Sequence, residues 1–88
     1  MMKGYLFTFR SITAAQLAAK SLDGYGIANA LIRTPRQLGR NGCGYAVRIS
    51  ARRFSESLQI LQQEGRRYNK IYIQQEDQSW QEVPDVIL

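Results

Sequence analysis

The sequence has no histidine. That absence removes Ser-His-Asp and Cys-His nucleophile systems, zinc sites with His ligands and ordinary imidazole acid–base catalysis. A single cysteine excludes an intramolecular disulfide and a Cys-rich metal cage. No apolar run approaches the roughly 20 residues that span a bilayer. No signal-peptide pattern follows Met1-Met2-Lys3, so a cytoplasmic location away from membranes is expected. A chain of 88 residues builds one small two-layer core and has no interior left over, so neither a buried cofactor nor a metal is expected. The functional site is expected on the surface.

Charge is what the chain has in excess, and it is unevenly placed. Residues 1–75 hold all twelve Lys and Arg and only Asp23, Glu56 and Glu64 among the acids, a net of +9; residues 76–88 hold Glu76, Asp77, Glu82 and Asp85 and no base, a net of −4. The expected organisation is a basic α+β domain over 1–75 and an acidic C-terminal tail over 76–88 that ends apolar, Val83-Pro84-Asp85-Val86-Ile87-Leu88. Such an ending, with Trp80, either folds back over the domain or docks on a neighbouring subunit or partner.

Periodicity supplies the elements. Tyr5, Phe7 and Phe9 alternate with Leu6 and Thr8, a strand pattern. Ser11 offers an N-cap, with Thr13 and Gln16 as an alternative capping box, and Ile12, Ala15, Ala19 and Leu22 form a helical stripe that stops near Gly24 and Gly26. Ile27 to Arg33 predicts a second strand closed by Thr34-Pro35, and Tyr45, Val47 and Ile49 a third. Ser55 is read as the cap of a second helix with Phe54, Leu58 and Leu61 on its inner face and Gly65 as its stop; Lys70 to Gln74 is the fourth strand. The order β-α-β-β-α-β predicts a single ferredoxin-like sandwich, with a four-stranded antiparallel sheet and both helices on one face.

The loop from Thr34 to Gly44 concentrates the chemistry-bearing residues. Cys43 stands between Gly42 and Gly44, which strip away side-chain cover. Arg36 and Arg40 lie in the loop beside Pro35, and Arg33 and Arg48 sit on the strands that enter and leave it. A thiolate near that positive charge is accessible and nucleophilic at neutral pH. The plain alternative is a small buried hydrophobe in a tight turn, with the arginines a solvated face.

Tyr5 to Phe9 followed by Ser11 and an Ala-rich helix, then Thr34-Pro35-Arg36, then Cys43-Gly44 before an apolar strand, resembles a family of small bacterial proteins described as selenium/sulfur carrier-like. The likeness covers roughly residues 4–73, and Pro35, Arg36, Cys43 and Gly44 match it. Gly39 stands where the family usually has Ser, and the loop is one residue longer. The resemblance implies a carrier that holds sulfur or selenium as a persulfide on Cys43 and passes it between donor and acceptor proteins, whose surfaces the basic charge predicts to be acidic. No stand-alone turnover is expected.

Two other readings stand beside it. One is an interaction or regulatory subunit that self-associates, as a homo-oligomer, through its sheet. The other, ranked last, is a single-stranded nucleic-acid module presenting Tyr5, Tyr45 or Tyr72 with Arg33 and Arg48; no RNP1 sequence accompanies it.

Overall fold

A computed structural model describes residues 4–41 and 44–84. The chain runs β1 (Gly4–Phe9), α1 (Ile12–Gly24), β2 (Ala30–Arg33), a 3-10 segment (Arg36–Asn41), β3 (Tyr45–Ile49), a short 3-10 turn (Ala51–Arg53), α2 (Phe54–Gln63), β4 (Ile71–Gln74) and β5 (Trp80–Val83). The strands form one antiparallel sheet in the order β2-β3-β1-β4-β5. The expected four-stranded sheet is thereby corrected to five strands.

The fifth strand is reached through a turn that carries neither Gly nor Pro. Gln78 takes a positive φ of 73°, a conformation usually left to Gly or Asn. The Asp77 carboxylate holds the turn by accepting from the backbone N–H of Ser79 at 3.0 Å and from its hydroxyl. Trp80 then pairs with Gln74 and Glu82 with Tyr72, so part of the expected acidic tail is an edge strand. Val86-Ile87-Leu88 lies outside the described residues.

Ser11 settles the choice of cap. Its hydroxyl accepts from the backbone N–H of Ala14 at 3.1 Å, and its extended backbone turns the chain into α1. Ala15, Ala18 and Leu22 face the sheet, whereas Ile12, placed in the inner stripe by periodicity, is 42% exposed. Both helices end in the same way. Gly26 (φ 74°) donates to the Asp23 carbonyl and Ile27 to that of Leu22, each at 3.0 Å; Gly65 (φ 72°) donates to Gln62 at 3.2 Å and Arg66 to Leu61 at 2.8 Å. This is the paired Schellman closure, and it needs a left-handed residue at the glycine. Ile27 is spent on that closure and Asn29 bonds back to Asp23, so β2 begins at Ala30 rather than at Ile27.

Ser55 is not the cap of α2. The chain enters through the 3-10 turn, the helix starts at Phe54, and the Ser57 hydroxyl donates back to the Arg53 carbonyl at 2.7 Å. Phe54 is thereby placed over β1, its ring 3.9 Å from that of Tyr5 and stacked at 18°. Phe7, Phe9, Val47, Ile49 and Ile71 complete the core with Leu22, Ile27, Leu58 and Leu61.

Pairing registers put Tyr5, Phe7, Phe9, Tyr45, Val47 and Ile71 on the helix-covered face, and Leu6, Thr8, Ala46, Arg48, Tyr72 and Gln74 on the other. Leu6, Thr8 and Ala46 are also buried, so β1 is covered on both faces. The Thr8 hydroxyl meets its need through Lys70, accepting from its N–H at 3.1 Å. Among the described residues no helix is long and apolar enough to cross a membrane.

Candidate functional site

The β2–β3 hairpin positions the candidate loop. Arg33 pairs with Tyr45, and one step beyond, the Thr34 N–H donates to the Gly44 carbonyl at 3.1 Å. That bond closes the ladder immediately before Cys43. Pro35 has no N–H with which to extend the pairing. Its carbonyl instead accepts from Leu38 at 2.8 Å, which opens the 3-10 segment holding Arg36 and Arg40. Pro35 is half-buried and Arg36 exposed. Cys43 and Gly42 lie outside the described residues.

Around the mouth of the loop, the Arg33 guanidinium lies 5.4 Å from the centre of the Tyr45 ring, a cation–π distance. A Cβ added at Gly44 would meet nothing within 4 Å among the described residues outside its chain neighbours. Among the described residues the Thr34 hydroxyl oxygen is buried and has no hydrogen-bond partner. A hydroxyl left buried without any partner costs on the order of 1–3 kcal/mol. Thr34 is a residue that charge and cysteine arithmetic passed over; the signal was there in a Thr held between a strand end and a proline.

The hairpin gathers Arg33, Pro35, Arg36, Arg40 and Gly44 on one loop and its two roots. It does not bring Arg48 to them. Arg48 pairs with Ala30 at the opposite end of β2 and, three residues from Tyr45, projects to the other face of the sheet from Arg33. There its Nη2 donates to Gln74 Oε1 at 3.1 Å. The tyrosines also separate: Tyr5 and Tyr45 face the helices while Tyr72 faces the other way, so they form no common stacking platform. Among the described residues no three acidic or thiol side chains gather closely enough to hold a metal ion.

No curated protein and no solved structure matches the chain. A family model described as "Putative Se/S carrier protein-like" matches residues 4–73. The match runs from the first residue of β1 into β4, takes in the whole β2–β3 loop and leaves β5 outside. By that coverage the chain belongs to the Se/S carrier protein-like family.

Proposed function

We propose that the protein carries sulfur or selenium on Cys43, receiving it from a donor protein and handing it to an acceptor. The observation that carries this reading is the family match over residues 4–73, which includes the chain's single cysteine. In loading, the Cys43 thiolate attacks the outer sulfur of a donor persulfide. A new S–S bond forms at Cys43 while the donor's S–S bond breaks, and the electron pair leaves on the donor thiolate. Discharge repeats the exchange, with the acceptor thiolate as nucleophile and Cys43 as leaving group. Neither step changes the overall oxidation level, and neither needs a general base once the thiol is ionised. Selenium follows the same course as the outer atom.

The loop supports these roles. Arg36 and Arg40 stabilise the thiolate and the persulfide anion, and Arg33 adds charge at the loop's root. Pro35 fixes the entry, and Gly42 and Gly44 keep side chains clear of an approaching partner. The basic body favours donor and acceptor proteins with acidic surfaces. Arg48, at the far end of β3, is left out of this site.

Alkylation of the native protein as a function of pH, with mass spectrometry after exposure to a sulfane-sulfur donor, tests the reading. The expected result is a thiol titrating below the usual value of about 8.5 and one added sulfur that Cys43→Ser abolishes. A thiol reactive only after denaturation, or loading that survives Cys43→Ser, overturns it.

A further inference from the structure

The described chain stops at Pro84, which borders a cavity of about 240 Å³ together with Tyr68, Asn69 and Val83. A second cavity, of about 500 Å³, lies between Arg10, Ala14 and Arg67, and Tyr68 and Asn69 line that one too. The two therefore adjoin across the segment that leads into β4, and together they form a trough from the end of β5 to the end of β1. Part of its wall is aromatic: the half-buried Tyr68 ring packs on that of Phe7, centres 5.4 Å apart.

Charge along the trough is not evenly met. Near Pro84, Lys70 is paired with Glu82 at 3.5 Å. At the far end Arg10 and Arg67 are exposed and have no ion pair among the described residues, none of which brings an acid to that cavity.

Asp85-Val86-Ile87-Leu88 follows Pro84, one acid and three apolar residues. Val83 meets Ile71 and Ile71 meets Phe7, so β5 and β1 leave the sheet at the same end. From β5 to β1 is two strand spacings, about 10 Å. Four extended residues span about 13 Å, enough to cross to Arg10.

We infer that residues 85–88 lie along this trough as a strap of the chain's own. Asp85 brings negative charge to a surface whose arginines lack it, and Val86, Ile87 and Leu88 cover Tyr68 and Ala14. A second copy would have to supply the same residues by association, whereas here they are tethered at the trough's mouth by Pro84, at high effective concentration. The inference stands independently of the carrier reading.

The test is a methyl and aromatic NOE measurement on the full chain. Expected are contacts from the methyls of Val86, Ile87 and Leu88 to the Tyr68 ring and the Ala14 methyl, within one molecule. In Asp85→Arg those contacts should lose at least about half their intensity at low salt. Contacts that keep their intensity in that variant overturn the charge match. An absence of contacts, or contacts to Leu6 and Ala46 on the opposite face of the sheet, overturns the placement. Isotope-filtered spectra of mixed labelled and unlabelled chains supply the last arm: contacts that appear only between molecules assign the trough to a second copy and overturn the strap.

Discussion

The Tyr25 hydroxyl donates to the Glu64 carboxylate at 3.2 Å, and these two residues are the C-caps of the two helices. The bond therefore ties one helix end to the other, next to the two glycines that stop them. Both partners are exposed, so the bond itself contributes little. Tyr25→Phe is expected to cost less than about 1 kcal/mol in urea denaturation. Gly26→Ala and Gly65→Ala, which place a Cβ on a left-handed residue, are expected to cost about 1 kcal/mol or more each. The reverse ranking would show that the inter-helix bond, rather than the caps, secures the ends.

Gly4 has a different reason to be glycine. A Cβ there would lie 2.7 Å from the Ile49 carbonyl oxygen, a backbone atom in the neighbouring strand. The Arg48 side chain passes the same point on its way to Gln74, its Nε 3.8 Å from where that Cβ would be. Gly4→Ala should force β1 and β3 apart and lower stability by about 1–3 kcal/mol, read as a lower urea midpoint. An unchanged midpoint would mean that the strand end shifts at no cost.

The Thr34 hydroxyl, buried without a partner among the described residues, makes an unusual expectation for a polar-to-apolar change. Thr34→Val should leave stability unchanged or raise it by about 1 kcal/mol, because the group removed is one that folding leaves unpaid. Thr34→Ser should not share the gain. A clear loss of stability in the valine variant would show that the hydroxyl has a partner.

The β4–β5 turn should respond to acid. Asp77 is held below its ordinary carboxylate value by the Ser79 side-chain hydroxyl first and the Ser79 backbone N–H second. A depressed carboxyl stabilises the fold above its unfolded pKa and loses that contribution as pH falls through its folded one. Hydrogen-exchange protection at Trp80 to Val83, measured against the intrinsic rate at each pH, is therefore expected to be steady from neutral pH to mild acid. That protection should fall relative to the core strands only below the usual Asp range. Asp77→Asn should remove that step, and a step that persists would assign it to another acid.

What could be read from the sequence was what is local. Ser11 and Gly65 announce the start of one helix and the end of the other because cap chemistry involves neighbours in the chain. The alternation in β1 and β3 shows because its period is two. The fifth strand stayed hidden because Gln78 does the work of a glycine, through bonds that Asp77 makes. Arg48 sits on the strand that leaves the candidate loop, as its place in the sequence predicts, but on the face opposite Arg33, for a geometric reason. Whether Arg33 and Arg48 share a face depends on the register across a long loop, and that register is set by Leu31 meeting Val47 in the folded sheet. Ile12 was drawn into the inner stripe by periodicity, whereas the small Ala18 takes the place against the sheet.

The central position of β1 bears on how the chain acquires its structure. Its partners are remote in sequence: Tyr5 meets Ile49 on one side, and Phe7 meets Ile71 on the other. β1 thus gains its second partner only when β4, which follows both helices in the chain, is in place. Closing such distant pairs before they are rewarded slows a search that helices alone would finish quickly. A chain in which β3 has paired and β4 has not holds the apolar strand β1 with one flank open, and an unpaired apolar edge of that kind is what makes partly folded states prone to aggregate.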